Sequence, residues 1–287
     1  MGNFFNLRLW LHAVLAPASD LTGADPQAHG LVAQAVRIPT AQGLRLFAWF
    51  VPSVGVQPWQ VASPAVVLLH GWGGNASNLL PAAQALHGAG YAVLLLESRN
   101  HGRSDADDHS SLPRFAEDLD RALDWLRTQK CVDAQRLVAL GHSVGGAAVL
   151  LCASRRHDLC AAISVAAFAH PEQLMRRWFA SRRVPYWPMG WLINRYLERV
   201  IGARFDDIAP VNTLAKTHCP VLLVHGLQDD TVPVDDARRI LQNRQRCDVT
   251  LMECGGTHDA FDDPREVIAH IISFLSPLHR SPTPINV

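Results

Sequence analysis

Net charge, lysine, paired cysteine and long apolar runs are all scarce in this chain. Formal charge sums to zero over 287 residues, with 26 basic against 26 acidic side chains. A nucleic-acid-binding surface needs a basic excess to neutralise phosphates, so this balance argues against a nucleic-acid partner. Lysine occurs only at Lys130 and Lys216, and no function follows from that skew. The six cysteines (131, 152, 160, 219, 247 and 254) form no CxxC pair and no disulfide-like rhythm. Most lie in apolar surroundings, where a free thiol behaves as a small hydrophobe. A reducing, cytoplasmic setting is expected. Fourteen histidines are present without zinc-ligand spacing, so neither a metal nor another cofactor is expected.

What is present is concentrated in short glycine-containing segments. Gly141-His142-Ser143-Val144-Gly145 follows the apolar run 136–140 and precedes a second apolar run that suits a helix opening. Strand, G-x-S-x-G, helix is the context of a nucleophile elbow. So tight a bend brings the backbone on either side of the serine together, which favours glycine at 141 and 145, and Gly146 lets the helix approach the strand. A serine hydroxyl is a weak nucleophile until a base takes its proton, and that base needs an orienting acid. Downstream, the apolar run 220–224 ends in His225-Gly226-Leu227-Gln228-Asp229-Asp230-Thr231-Val232-Pro233. The short run 249–253 then leads into Cys254-Gly255-Gly256-Thr257-His258-Asp259. Ser143, Asp229 and His258 stand in the chain order of one Ser-Asp-His triad. Upstream, the apolar run 65–69 enters His70-Gly71-Trp72-Gly73-Gly74, a turn with backbone N–H groups available to an alkoxide. The Trp72 and Val144 N–H groups are the expected oxyanion-hole pair.

The remaining pattern alternates strands with helices. Residues 36–39 and 44–50 flank Ala41-Gln42-Gly43 and read as an antiparallel hairpin at a sheet edge. Residues 78–87 suit a helix stopped by Gly88, and residues 91–96 a buried strand. Phe115, Leu119, Ala122, Leu123 and Leu126 fall at helical spacing, placing a helix before the elbow strand. Residues 161–166 continue the sheet. Asp263-Pro264 opens a last helix carrying Val267, Ile268, Ile271, Ile272 and Leu275. Such alternation means a mostly parallel sheet covered on both faces.

These segments together resemble the α/β-hydrolase superfamily, over most of the span 36–276. HGWGG is similar to its oxyanion loop, GHSVG to its elbow, HGLQDDTVP to its acid loop and GGTHDAF to its histidine loop; residues 97–105 resemble the turn after its fourth strand. The likeness is to bacterial esterases and serine hydrolases with a small helical insertion. The resemblance implies a mostly parallel twisted sheet with helices on both faces and a helical cap. Its core would comprise residues 36–168 and 213–276, with the cap at 169–212. Serine at 143 disfavours the branches that use a nucleophilic aspartate. The expected activity is cleavage of a small-molecule or lipid-like acyl ester through an acyl-enzyme. Acyl thioesterase and serine peptidase on the same fold are alternatives, and a non-catalytic binding protein is a further one.

Within 169–212, Trp178, Trp187 and Trp191 are candidate substrate contacts lining an acyl pocket, against the alternative that they pack the cap's own core. Arg176, Arg177, Arg182, Arg183 and Arg195 are expected to solvate its outside; the rival reading is recognition of an anionic substrate or lipid headgroup. His70 and His142, beside the motifs, read as structural, and Arg99 and His101 as turn-stabilising. Glu97 stands where the superfamily often has aspartate. Asp105, Asp107 and Asp108 read as a solvated loop.

The N-terminal segment, 1–35, contains the apolar stretch 7–16, too short for a bilayer span of about 20 residues. It reads as a peripheral helix that allows a membrane contact. Ala16-Pro17-Ala18 has the form of a signal cleavage site, but Arg8 is the only basic residue before it and His12 interrupts the run. A secreted or membrane-peripheral protein is therefore the alternative location. Met1-Gly2 lacks the Ser or Thr at position 6 that myristoylation needs. Residues 277–287, with three prolines, read as a loose tail.

Overall fold

In the computed structural model, residues 20–53 and 62–279 are described. The stretch 7–16 and the cleavage-like triplet at 16–18 lie outside them, as do residues 280–287 of the tail; a 3-10 turn spans Ser276–His279. The strands are β1 (Gln34–Pro39), β2 (Arg45–Val51), β3 (Ser63–Leu69), β4 (Ala92–Leu96), β5 (Val132–His142), β6 (Leu159–Val165), β7 (Val221–Gly226) and β8 (Val249–Cys254). They form one sheet in the order β1-β2-β4-β3-β5-β6-β7-β8. β1 and β2 make the expected antiparallel hairpin, and β2 also runs antiparallel to β4. Every other pairing is parallel.

The central strands are apolar on both faces because both faces are covered. All seven residues of β3 are buried. Ala65, Val67 and Leu69 enter one core cluster, and Val66 and Leu68 the other. Burying one such side chain contributes about 1.5–3 kcal/mol, so a polar residue here would be disfavoured on either side. Helices α1 (Leu80–Gly88), α2 (Leu112–Arg127), α3 (Val144–Ala153), α4 (Pro171–Ser181), α5 (Trp191–Ile201), α6 (Asp235–Gln242) and α7 (Pro264–Leu275) supply the cover.

On α2, Phe115, Leu119, Ala122, Leu123 and Leu126 are all buried, as their spacing predicts. Asp118 breaks that apolar face and is equally buried. Its partner is Arg99, whose Nε and Nη2 reach Asp118 Oδ1 at 2.9 and 2.6 Å and whose N–H donates to Oδ2 at 2.8 Å. This pair pins the loop after β4 to α2. The neighbouring acidic loop is not simply solvated: Asp107 pairs with Arg99 and Arg114, and Asp105 accepts from the Arg45 N–H.

The turn into α1 starts earlier than its periodicity suggests. The Asn75 side-chain Oδ1 accepts from the Ser77 N–H, while the Asn78 side chain accepts from the Asn75 N–H, so a 3-10 turn spans Ala76–Leu79. At the other end Gly88 lies within the helix, and Gly90, at φ 93°, makes the reversal. α7 begins as expected, with Asp263 accepting from the Arg265 and Glu266 N–H groups at 2.9 and 3.1 Å.

Between β6 and β7 the alternation breaks. α4, an irregular helical turn at Tyr186–Gly190, α5 and one-turn helices at Phe205–Ile208 and Pro210–Thr213 fill the interval. Leu197, Phe205 and Ile208 are buried in the main core, with Leu174 and Met175 packed against it. Arg177 reaches back to the buried Asp236 of α6 at 2.7 Å. The inner side of this segment is therefore fastened to the domain, and what it exposes lies on the outside.

Candidate active site

The ends of β5, β7 and β8 and the loop after β3 converge at Ser143. The serine occupies φ 55°, ψ −119°, a region that non-glycine residues rarely visit and that carries strain of order 1–3 kcal/mol. The tight bend that imposes this conformation leaves no room at the flanking positions. A Cβ on Gly141 would fall onto the Gly145 carbonyl, and one on Gly145 would lie 2.5 Å from the Leu69 and His70 carbonyl oxygens. The Ser143 N–H donates to the Val165 carbonyl at 2.8 Å, tying the bend to β6. α3 starts at Val144.

His258 joins the serine to the acid. Its Nδ1 lies 2.7 Å from Asp229 Oδ2 and its Nε2 lies 2.9 Å from Ser143 Oγ. Asp229 is buried and its second oxygen is fully used: Oδ1 accepts from the Thr231 and Val232 N–H groups at 3.0 and 2.7 Å. Burial opposes ionisation of Asp229. Hydrogen bonds from His225, His258 and the Val232 N–H outweigh it and hold the carboxyl well below the usual carboxylate range. Asp229 is thus an anion facing an imidazole N–H. Asp230 is exposed, and its side chain accepts only a long contact from the Thr231 hydroxyl at 3.5 Å.

The loop after β3 comes in from the other side. An added Cβ on Gly71 would lie 3.2 Å from Ser143 Cβ, which places Gly71 directly beside the serine. Among the described residues, no backbone carbonyl accepts from the Trp72 N–H. Val144 is the first residue of α3, and the first N–H groups of a helix have no partner within it. The Trp72 side chain stacks on Phe115, with ring centroids 6.3 Å apart and planes 16° from parallel.

Several residues around this centre act on other residues rather than on a ligand. The His70 Nε2 accepts from the Ser98 N–H at 3.2 Å, which leaves Nδ1–H to donate to the Gly71 carbonyl at 2.7 Å. Burial, aided by His101, pushes the His70 pKa down to about 3, so the ring is neutral. Glu97 is buried and accepts from the Arg103 N–H at 2.5 Å, holding the turn after β4, while burial raises its pKa.

Two further contributions were not legible in the motifs. The His142 Nε2 donates to the His258 carbonyl at 2.8 Å and steadies the histidine loop, with burial depressing its pKa. The His225 Nε2 donates to the Val232 carbonyl at 2.7 Å and lies 3.3 Å from Asp229 Oδ2. The one available signal for His225 was a polar side chain ending an otherwise apolar strand.

Side-chain atoms of His142, His258 and Asp259 lie within 4.8 Å of one another, close enough to hold a metal ion. Both His258 nitrogens and the His142 Nε2 already have protein partners, however. Trp178, Trp187 and Trp191 all belong to the inserted segment. Trp187 and Trp191 face each other at 5.6 Å, and Trp178 packs edge-on against Phe179 beneath Arg182. A cavity beside α4 is lined by His170, Glu172, Gln173, Arg176 and Asp206, with no tryptophan. Among the described residues no helix is long and apolar enough to cross a membrane.

A family model described as the alpha/beta hydrolase family matches residues 66–270. The YfhR protein of Escherichia coli K12 is 27% identical over 270 residues, covering 91% of this chain and 87% of that protein. The YqkD protein of Bacillus subtilis is 26% identical over 199 residues, covering 67% of this chain and 64% of that protein. Among solved structures, the esterase Pf2001 of Pyrococcus furiosus superposes with a TM-score of 0.72 at 18% identity, covering 91% of this chain and 98% of that one. Est1E of Butyrivibrio proteoclasticus, solved with ferulic acid bound, gives 0.62 at 19% identity, covering 85% and 99%. At these identities the structures share the fold.

Proposed function

The chain belongs to the alpha/beta hydrolase family, and on that premise we propose that it is a serine hydrolase that cleaves carboxylic esters through an acyl-enzyme on Ser143. The observation that carries the reading is the position of His258, hydrogen-bonded to Asp229 at 2.7 Å and to Ser143 at 2.9 Å. In this reading His258 Nε2 takes the Ser143 proton as Oγ attacks the ester carbonyl carbon. The C–O π pair moves onto the carbonyl oxygen, which the Trp72 and Val144 N–H groups stabilise; one such donor is worth about 100- to 1,000-fold in rate. The tetrahedral intermediate collapses as His258 returns its proton to the departing alcohol. Water then repeats the sequence on the acyl-enzyme and releases the acid. Asp229, kept ionised by the N–H groups around it, fixes the imidazole tautomer and offsets its transient positive charge.

Thioesters react by the same steps, so the leaving group is set by experiment. Purified protein is assayed on p-nitrophenyl esters of increasing acyl length and on acyl-CoA thioesters, beside Ser143→Ala. Ester turnover that disappears in the variant is expected, since loss of a triad nucleophile reaches about a million-fold in kcat. Turnover confined to thioesters would reassign the activity, and turnover of neither would favour a binding protein.

A further inference from the structure

We propose that the outer edge of the segment between β6 and β7 docks onto an anionic phospholipid surface, a property independent of whether Ser143 is the nucleophile. Trp187, Met189, Trp191 and Leu192 are 71, 53, 39 and 54% exposed. Among the described residues the other large exposed apolar side chains, Leu21, Val32, Trp72 and Leu227, are scattered along the chain, as single exposed hydrophobes normally are. Four within six residues make a patch, and contiguous patches mark interaction sites.

The patch sits on a turn fastened to α4. Gly190 is buried where a Cβ would press on Tyr186 and Phe179. The Tyr186 hydroxyl donates to Glu172 at 2.6 Å, and the Arg176 guanidinium lies 3.8 Å over the Tyr186 ring. The turn that carries Trp187 and Met189 is therefore anchored to α4, and exposing them is a fixed feature of the fold.

Charge selects the occupant. From residue 173 to residue 197 the sequence holds five arginines and no acidic residue, in a chain whose net charge is zero. Arg176, Arg177 and Arg195 are neutralised by Glu172, Asp236 and Glu198. Arg182 and Arg183 are exposed and have no acidic partner among the described residues. Arg182 lies over the Trp178 ring at 4.0 Å. Tryptophan, leucine and methionine beside unpaired arginines suit the headgroup boundary of an anionic leaflet. There indole rings settle at the interface and guanidinium groups meet lipid phosphates. A second copy of this chain would have to bring two more unpaired arginines against the same patch. The segment leaves from the end of β6 that is bonded to Ser143, whose N–H donates to the Val165 carbonyl.

The test is co-sedimentation of the full chain with phosphatidylcholine vesicles, with and without phosphatidylglycerol. Binding to the anionic vesicles, weakened by salt, is expected. R182E/R183E should bind at least roughly thirtyfold more weakly, from the contribution of two basic residues near an anionic surface. W187A/W191A should lose about tenfold, from lost apolar burial, and Val32→Ser should bind as the parent does. Melting temperatures check that the variants fold, and the arginine pair tests the idea if the tryptophan pair does not. Absence of parent binding, or equal binding by parent and R182E/R183E, overturns the proposal. So does a concentration-dependent dimer that W187A/W191A abolishes in a parent that ignores vesicles, which would make the patch a self-association face.

Discussion

Replacing Asp229 with asparagine changes one atom's worth of chemistry, and the surrounding hydrogen bonds dictate how the new side chain must sit. Oδ1 accepts from the Thr231 and Val232 N–H groups at 3.0 and 2.7 Å, so an NH2 group placed there would face two donors. The amide oxygen must keep that place, which turns the NH2 toward His258 Nδ1, 2.7 Å away in the parent. A donor at that position requires Nδ1 to accept, and the imidazole proton then moves to Nε2. His258 now presents N–H to Ser143 Oγ instead of a lone pair, and the serine loses its base. In serine proteases the same exchange lowers kcat about 10⁴-fold, close to 5.5 kcal/mol of barrier, and a similar loss is expected here. Asp230→Asn, at an exposed side chain with only a 3.5 Å contact, should stay within a few-fold of the parent. Steady-state kcat on one p-nitrophenyl ester, with circular dichroism to check folding, measures both. A larger loss in Asp230→Asn, or an Asp229→Asn enzyme within tenfold of the parent, would refute the reasoning.

Two other perturbations probe the scaffold. Gly145→Ala places a methyl 2.5 Å from two backbone carbonyl oxygens; backbone cannot yield as a side chain can, so a loss of about 3 kcal/mol or more, read from urea unfolding, should accompany loss of ester turnover. His70 is held neutral down to about pH 3 against an ordinary value of 6.5. Because the unfolded chain takes up a proton that the folded chain refuses, stability falls as pH drops through 6.5 toward 3. The His70 contribution between pH 7 and pH 5 is about 2 kcal/mol; urea unfolding at both pH values should show a smaller drop in His70→Asn, and an unchanged drop would contradict the burial argument.

The sheet and the candidate site are legible because their signals are local. A buried strand is a short apolar run, and a tight bend demands glycine whatever surrounds it, so the segments at Gly71, Gly141, Gly226 and Gly256 announce the loops that meet at Ser143. The supports around them were not legible, because they join residues distant in sequence. Nothing in Asp118 itself, on an otherwise apolar helix face, names Arg99 as its partner. Likewise His142 reads as structural, but nothing near it in sequence names its partner, the His258 carbonyl 2.8 Å away. Periodicity starts a helix at residue 78, whereas Asn75 and Asn78 cap each other and open a 3-10 turn at Ala76 ahead of α1; reciprocal side-chain caps act at a helix end where apolar periodicity is silent. In the segment between β6 and β7, composition gave tryptophans and arginines but no orientation. Which of them face water depends on how α4 and α5 pack, and the buried Phe179 and Leu197 and the Arg177–Asp236 pair fix that packing.

The central claim is that Ser143 Oγ is the nucleophile, and a fluorophosphonate followed by intact-protein and peptide mass measurement tests it most directly. Attack by Ser143 displaces fluoride and leaves a stable phosphonyl ester. A single adduct is expected on the parent chain, mapped to the peptide containing Ser143 and absent from Ser143→Ala. An adduct forming on Ser143→Ala at the parent's rate, or none on folded parent protein, would contradict it.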